Sequence, residues 1–291
     1  MKTAEMRRFL AGWLVVFACS PSPEIPEGEL RVISLAPSIT RVLQALGAAD
    51  SVVAVDGFSR RLPGLERFPS VGGLFNPDLE RTLELRPTVV LAVRSTRQHP
   101  YMKQLRARGV RVEEIEPYTL EEVLESFRTI GALVGRDAEA DRLIADVRRD
   151  LEEVAASVRG LNRRSVVVVI ERDPLYVIGG GSFANALIET AGGRNAFAEL
   201  DSPYPPVSLE SLADRAPDVI LDTVIDPDAG ADARRAVEAY WQRFGWVRRV
   251  EAFPAGLATL PGPELADGAS LLAARIHPDR SGGEREAEVA P

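Results

Sequence analysis

The sequence predicts an α/β fold of two similar lobes joined by one long helix, and three observations support this prediction. Short β-rich apolar runs alternate with segments whose apolar residues recur at helical spacing, a pattern that builds parallel sheets covered by helices. A segment that begins at Leu79 recurs at Leu209. Between the two copies, apolar residues at 137–158 step by three and four, which predicts a long amphipathic helix.

Length and composition restrict the class of protein. The chain has 291 residues with a formal net charge of −8, and 45% of its residues are hydrophobic. This length allows two lobes that each bury a core. The acidic balance argues against a nucleic acid as partner. Past the N-terminus, no apolar run reaches the roughly 18–20 residues that a membrane-spanning helix needs.

Residues 1–19 are predicted to be an export signal rather than part of the fold. Two arginines precede an apolar stretch at 9–18, which ends at Cys19, the only cysteine in the chain. Residues 16–19, VFAC, resemble a bacterial lipobox, which implies cleavage before Cys19 and lipidation of its thiol. An ordinary cleaved signal or a short anchor is the alternative. The proline- and glutamate-rich residues 20–29 are predicted to tether the lipid to the first lobe.

Residues 30–136 are predicted to form the N-terminal lobe. Its predicted strands lie at 31–35, 52–55, 88–93 and 110–115. Four helices are predicted: the first ends at Gly47, the second starts at Pro77 with Asn76 as N-cap, and the others lie at 100–107 and 120–134. A ligand of such a sheet is expected at the carboxyl ends of its strands.

Residues 137–160 are predicted to be the linking helix, and residues 161–278 the C-terminal lobe. The predicted elements of this lobe are a strand at 165–170, a turn at Gly179–Gly181, helices at 183–191 and 209–215, and a strand at 218–221. Residues 279–291 are polar and end in proline, so we expect them to be disordered.

The repeated segment places one glutamate in each lobe. Leucine and glutamate are followed after six residues by PTVVL in the copy at Leu79, and by PDVIL in the copy at Leu209. Glu80 and Glu210 lie near the first turn of a predicted helix and beside its leucine stripe, so both carboxylates are expected to face solvent. By itself, such a glutamate stabilises a helix by complementing its dipole, by about 0.3–1 kcal/mol.

Four segments, together with the linking helix, resemble the helical-backbone class III family of periplasmic binding proteins. They are RVISLAPSIT, VGGLFNPDLERTLELRPTVVLA, YPPVSLESLADRAPDVIL and ETAGGRNAF, and the resemblance covers about residues 31–277. The type member of this family binds cobalamin, and its relatives carry iron-siderophores, heme or bare metal ions. The resemblance implies two Rossmann-like lobes that move little, because the linking helix is rigid, with the ligand in the cleft between them.

The resemblance also implies site residues on the loops that follow the strands. The implied ligand-binding residues are Pro37, Ser38, Phe58, Leu74, Phe75, Arg94 and Tyr204. Leu74 and Val93 stand where the cobalamin receptor has a tryptophan-lined wall, Tyr204 replaces a further tryptophan, and Arg41 stands where the family usually has glutamate. The pocket is thus less aromatic, which leaves a different corrinoid or a siderophore chelate open. Arg94 is a candidate to bind an anionic group of the ligand, because a guanidinium makes forked bonds to carboxylate or phosphate. The alternative is that Arg94 is a solvated arginine on a loop.

The function that the resemblance implies is that of an extracytoplasmic solute-binding lipoprotein of an ABC importer, at the cell surface or in the periplasm. It would capture a cobalamin-like corrinoid or other metal chelate, without enzymatic activity or a cofactor. An iron-siderophore or heme receptor is the alternative within the family. The implied partners are the membrane through the lipid on Cys19 and a homodimeric permease with its ATPase. Permease arginines would meet Glu80 and Glu210, and the receptor itself is expected to be a monomer.

Two other functions are less well supported by the sequence. Capture of a bare metal ion needs several converging ligands, but His99 and His277 are the only histidines, and neither belongs to a motif with metal-ligand spacing. A two-lobed nucleotide-sugar enzyme would use Gly179–Gly181 to hold phosphate. That segment lacks the third glycine of the dinucleotide fingerprint, and Ser182 is equally explained as a helix N-cap.

Overall fold

A computed structural model describes residues 29–73, 76–93, 100–224 and 230–279, apart from the side chain of Ala233. Several predicted features lie outside these residues: the export signal with Cys19, the tether up to residue 28, Leu74, Phe75, Arg94, His99 and the tail beyond Asp279. No helix among the described residues is long and apolar enough to cross a membrane.

A four-stranded parallel sheet forms the centre of the N-terminal lobe. In chain order its elements are β1 (Val32–Ser34), α1 (Pro37–Ala45), β2 (Val52–Val55), the hairpin strands β3 (Gly72–Gly73) and β4 (Asn76–Pro77), α2 (Leu79–Glu84), β5 (Val89–Val93), α3 (Pro100–Ala107), β6 (Arg111–Ile115) and α4 (Leu120–Val134), with short 3₁₀ turns at Ala49–Ser51 and Ser59–Arg61. The sheet order is β2-β1-β5-β6, and every pair is parallel. Its central strands β1 and β5 are buried, apart from the partly buried Val93, and apolar apart from Ser34, because helices cover both faces.

The linking helix is α5 (Asp137–Ser157), whose 21 residues extend about 31 Å at 1.5 Å per residue. Its buried stripe consists of Ala140, Ile144, Val147 and Leu151. This stripe belongs to one hydrophobic core that also contains side chains of both lobes, such as Leu43 and Phe183. A shared core of this kind resists independent movement of the lobes, since packed interiors deform little.

The C-terminal lobe is built on a five-stranded sheet. Its elements are β7 (Arg164–Arg172), β8 (Leu175–Val177), α6 (Phe183–Thr190), β9 (Gly193–Asn195), α7 (Leu209–Arg215), β10 (Val219–Asp222), α8 (Ala231–Gln242), β11 (Val250–Ala252), α9 (Ala255–Thr259) and α10 (Leu265–Ile276). The order is β11-β10-β7-β8, with β9 also paired to β7, and only β8 runs antiparallel to its neighbour. The sequence analysis assigned no element to β8, β9, α8, β11, α9 or α10.

The predicted start of the second helix was wrong. Asn76 and Pro77 pair with Gly72–Gly73 in the hairpin instead of opening the helix. Asp78 is the N-cap, because its carboxylate accepts a hydrogen bond of 3.0 Å from the backbone N–H of Arg81. The prediction that Ser182 caps a helix is confirmed, since its hydroxyl accepts a hydrogen bond of 3.2 Å from the backbone N–H of Asn185.

Candidate functional site

A cavity of about 240 Å³ lies between the two lobes, and we call it the cleft cavity. The N-terminal lobe lines it with Ala36, Pro37, Ser38, Val93 and residues 115–118, and the C-terminal lobe with Phe183, Tyr204 and residues 259–261. The N-terminal wall therefore consists of the segment that follows β1, the last residue of β5, and the end of β6 with the loop that follows it. This is the edge where a parallel sheet is expected to hold its ligand.

The first turn of α1 contributes a positive partial charge to this wall. The helix begins at Pro37 after Ala36, whose methyl side chain cannot cap it. Its first turn, PSIT, contains no acidic residue that would offset the helix dipole. Ser38 is only 6% exposed, and its hydroxyl adds a polar group to this end of the wall.

Two tyrosines from opposite lobes line the cleft cavity. The Tyr118 side chain is exposed, and its hydroxyl donates a hydrogen bond of 2.5 Å to Oε1 of Glu116. The backbone N–H of Tyr118 donates to Oε2 of Glu122 at 2.9 Å, which fixes the start of this loop against α4. Burial raises the pKa of the Tyr204 phenol, and an electrostatic interaction with Tyr118 acts in the same direction. Tyr204 is therefore a neutral phenol at neutral pH.

Gly179–Gly181 hold the loop that carries Tyr204. The backbone N–H of Gly179 donates to the carbonyl oxygen of Pro203 at 3.0 Å, and that of Gly180 to the carbonyl oxygen of Leu200 at 2.8 Å. A Cβ atom on any of the three glycines would overlap a carbonyl oxygen of this loop. The glycines are thus required for close backbone approach. The two N–H groups that a phosphate site would use are already occupied, which argues against a phosphate cradle.

A second cavity, of about 380 Å³, adjoins the cleft cavity, and we call it the Arg41 cavity. The two cavities share Pro37, Ser38 and Leu260. Together they offer the volume usual for a small-molecule site, roughly 300–1,000 Å³. Across the Arg41 cavity, Nη1 of Arg41 on α1 lies 3.4 Å from Oε1 of Glu264, the residue before α10.

The structure brings Pro37, Ser38 and Tyr204 together at the cleft cavity. In the part of the chain that the structure describes, neither cavity has Phe58 in its wall: this side chain is 51% exposed, with the Arg61 guanidinium 5.7 Å from its ring centroid. The sequence analysis did not select Tyr118, Glu116 or Phe183. Tyr118 had a usable signal, because it follows a parallel strand at its carboxyl end.

The two repeated glutamates, Glu80 and Glu210, line neither of the two cavities. Both Glu80 and Glu210 are exposed in the first turns of α2 and α7. The backbone N–H of Glu210 lowers the pKa of its own carboxyl, and the Ser208 hydroxyl acts in the same direction. Glu210 is therefore a charged surface group at neutral pH.

His277, the histidine among the described residues, is buried by packing. Among the described residues, no group of three or more histidine, cysteine, aspartate or glutamate side chains is arranged to hold a metal ion. His277 is only 5% exposed at the end of α10, and its Nε2 would lie 2.9 Å from a Cβ atom placed on Gly192. The same Cβ atom would lie 3.1 Å from the side chain of Val158, the C-cap of the linking helix, so His277 packs beside the end of that helix.

Comparisons with known proteins agree with this architecture. A family model described as periplasmic binding protein matches residues 32–224. The vitamin B12-binding protein of Photorhabdus laumondii is 25% identical over 228 residues, which are 78% of this chain and 81% of that protein. YvrC of Bacillus subtilis, an uncharacterized ABC transporter substrate-binding lipoprotein, is 28% identical over 263 residues, 86% of this chain and 80% of that protein.

A solved structure shares the fold over nearly its whole length. The periplasmic heme-binding protein of Pseudomonas aeruginosa superposes with a TM-score of 0.71 and 28% identity, covering 85% of this chain and 92% of that protein. The predicted two-lobed α/β fold is therefore confirmed. Proteins of this family carry a transported ligand and are not enzymes, so the expectations of no enzymatic activity and no cofactor are confirmed as well. Because the family model spans more than half of its residues, this chain belongs to the periplasmic binding protein family.

Proposed function

We propose that this chain is the extracytoplasmic solute-binding component of an ABC importer and captures a cobalamin-like corrinoid or a similar metal chelate. The observation that carries this proposal is the cleft cavity, whose walls come from both lobes and are largely apolar. The similarity to vitamin B12-binding and ABC transporter substrate-binding proteins supports it. Family membership supports the extracytoplasmic location.

The walls of the cleft cavity suit a chelate better than a bare ion. Tyr118, Tyr204 and Phe183 contribute aromatic side chains to the wall, and a planar macrocycle packs favourably against aromatic rings. Ser38, Glu116 and the two phenol groups supply the few polar contacts that fix orientation at such sites. We further propose that Phe58, Leu74, Phe75 and Arg94 complete the site from neighbouring loops.

Heme is the second candidate ligand, and the two tyrosines favour it. A tyrosine oxygen is one of the protein ligands that hold heme iron, and Tyr118 and Tyr204 reach the cleft cavity from opposite sides. The similarity to the heme-binding protein of P. aeruginosa supports this candidate.

Anchoring and delivery are further parts of the proposal. We propose that Cys19 carries a lipid that holds the monomeric receptor at the membrane surface, which the similarity to a B. subtilis lipoprotein supports. Glu80 and Glu210 would dock on arginines of a homodimeric permease that works with an ATPase. A two-fold symmetric partner suits a receptor that exposes one equivalent carboxylate on each lobe.

A ligand screen on the exported chain tests the proposed function. Melting is measured with cyanocobalamin, hemin, ferric siderophores and divalent metal ions, each added separately. A ligand present at 100 times its Kd stabilises the folded state by about 2.7 kcal/mol, which raises the melting temperature measurably. We expect cyanocobalamin or hemin to give this shift. A shift with simple metal ions alone would contradict capture of a metal chelate, and a shift with siderophores alone would exclude the corrinoid and heme candidates.

A further inference from the structure

The Arg41 cavity has one cation and one anion in a mostly apolar wall. Leu62, Pro254, Leu257 and Leu265 supply most of the rest of its surface, whereas Arg41 and Glu264 are its charged side chains. Ser38 and Arg41 are three residues apart on α1 and therefore share a face of the helix. That face looks into the space that is continuous with the cleft cavity through Ser38.

The ion pair in this cavity is one that a ligand can replace. Its N–O distance is 3.4 Å, and the side chains of Arg41 and Glu264 are 33% and 39% exposed. Pairs with this degree of exposure contribute little to stability, because water screens both charges. A guanidinium also makes forked, two-bond contacts with a carboxylate or phosphate, and these contacts are stronger where the bound ligand excludes water.

The two partners differ in what remains to stabilise them once they separate. Glu264 is the N-cap residue of α10, a helix of 12 residues, so its carboxylate keeps the favourable field of that helix dipole. Arg41 follows the first turn of α1, whose N-terminal end is itself positive. After separation, the carboxylate of Glu264 is still stabilised by the dipole of α10, whereas the guanidinium of Arg41 has lost its anion.

We propose that the Arg41 cavity is a subsite for an anionic arm of the bound chelate, with Arg41 exchanging Glu264 for a carboxylate or phosphodiester of the ligand. This inference rests on the proposed function, since the ligand body must occupy the cleft cavity. Arg41 then selects for chelates whose periphery carries a negative charge, and Glu264 acts as the intramolecular competitor that occupies Arg41 until such a ligand arrives.

Two pairs of probes separate the two sources of negative charge. Hemin has free propionate carboxylates, which are neutralised in hemin dimethyl ester. Cyanocobalamin has a phosphodiester in its nucleotide loop, which dicyanocobinamide lacks. Kd is measured by absorbance titration for all four probes with the wild-type chain, Arg41→Gln, Glu264→Gln and a control, Arg142→Gln. Arg142 is an exposed arginine on the linking helix. It pairs with Glu139 and lines neither cavity.

Opposite effects of the two cavity variants are the expected result. Arg41→Gln should weaken the charged probe of one pair about tenfold, the loss expected for one hydrogen bond to a charged group. Its uncharged partner should bind as before. Glu264→Gln should tighten the charged probe, because it removes the competitor, and Arg142→Gln should change neither. The pair that responds identifies carboxylate or phosphodiester as the recognised group.

A simple latch between the lobes predicts a different pattern. If the ion pair only held the lobes together, both cavity variants would shift all probes in the same direction, and that result would overturn the subsite. Equal binding of charged and uncharged probes by the wild-type chain would overturn it too. Failure of all four probes to bind the wild-type chain would instead refute the corrinoid and heme ligands of the proposed function. Melting temperatures of the variants confirm that each is folded.

Discussion

Glu80 and Glu210 occupy equivalent positions in two copies of one structural unit. Each is the second residue after the N-cap of its helix, and each precedes by six residues a non-glycine with a left-handed backbone, Arg86 with φ 45° and Ala216 with φ 43°. The side chains of Asp78 and Ser208 cap the two helices in the same way. The two lobes thus present the same short helix, with the same exposed carboxylate, to an external partner.

The first prediction concerns delivery of the ligand. Glu80→Arg combined with Glu210→Arg should abolish transport, because like charges then face each other across the proposed docking surface. Each single change should reduce transport in part. Melting and ligand binding should stay normal, since both side chains are exposed. Uptake is measured in vesicles that contain the cognate permease and ATPase.

A matched control is available on the same helices. Glu84 and Asp214 are exposed and lie four residues after the two glutamates. Glu84→Arg with Asp214→Arg makes the same change in net charge at the other ends of these helices. Normal uptake by the Glu80 and Glu210 double variant would remove the docking role and leave both residues as partners of the helix dipole.

The second prediction concerns the capping box that precedes α4. The Thr119 hydroxyl accepts from the Glu122 backbone N–H, while the Glu122 carboxylate accepts from the backbone N–H groups of Thr119 and Tyr118. The hydrogen bond from the Thr119 backbone, followed in size by the one from the Tyr118 backbone, lowers the pKa of Glu122. Glu122→Ala should reduce the free energy of unfolding by about 1 kcal/mol at neutral pH, and weaken ligand binding because the Tyr118 loop loses its anchor.

The sign of the pH dependence follows from the direction of the shift. A carboxyl whose pKa is lowered on folding contributes stability above its ordinary pKa, and this contribution is lost as the pH falls through the lowered value. The stability difference between the wild-type chain and Glu122→Ala should therefore shrink on acidification, as measured by urea unfolding at a series of pH values. A difference that grew toward acid would contradict the role of the Glu122 carboxylate.

Much of the fold was readable from the sequence because it depends on local periodicity. The strand at Val89–Val93 and the helices at Leu120–Val134 and Leu209–Arg215 have apolar patterns that only one kind of element accommodates. The three-residue strands β8 and β9 were missed, since three residues are too few to display an alternating pattern. The start of α2 was misplaced because Asn76 and Pro77 carry a helix-start signal that hairpin pairing with Gly72–Gly73 overrides.

The site was less predictable, because it depends on contacts between distant segments. Gly179–Gly181 have the composition of a phosphate loop, but their N–H groups pair with a segment that begins some 20 residues later. The contact between Arg41 and Glu264 joins residues on different lobes. The sequence marked Arg41 only as a departure from the family's usual glutamate, and no pattern connected it with Glu264. Pro37 and Ser38 were implied by the family resemblance because they lie shortly after the first strand, and the structure places both at the cleft cavity.

The third prediction tests whether the glycine turn positions Tyr204. Gly180→Ala places a methyl group against the carbonyl oxygen of Ala198, so the backbone of the Tyr204 loop must move. Overpacking of this kind costs about 1–3 kcal/mol of stability, and more where backbone is involved. Ligand affinity should fall with it. Gly245→Ala is the control, because a Cβ atom there meets no atom of the described residues within 4 Å.

The fourth prediction concerns the lipid anchor. Cys19→Ser removes the thiol that carries the proposed lipid, so the chain should still be exported but should leave the membrane fraction, because stable anchoring requires acyl chains. Fractionation of cells with an antibody to the receptor measures this directly. A Cys19→Ser chain that stayed with membranes would rule out lipidation as the anchor, and the short apolar stretch at 9–18 would then be the alternative.

The fifth prediction separates two roles of Tyr204. Tyr204→Ala removes an aromatic ring from the wall of the cleft cavity and should weaken ligand binding by about 2 kcal/mol, or roughly 30-fold, as for a buried aromatic anchor. Tyr204→Phe retains the ring and loses only the hydroxyl. If the ring acts as a packing wall, as a corrinoid requires, Tyr204→Phe should bind nearly as tightly as the wild-type chain.

Ligation of heme iron by the phenol oxygen gives the opposite order. In that case Tyr204→Phe should lose as much affinity for hemin as Tyr204→Ala, and the visible spectrum of bound hemin should change in both variants, because the oxygen ligand is gone. Tyr118→Phe provides the same comparison from the opposite wall. Arg94→Ala extends the test to the proposed anionic contact. Unchanged affinity in Tyr204→Ala and Arg94→Ala together would show that the ligand does not occupy the cleft cavity.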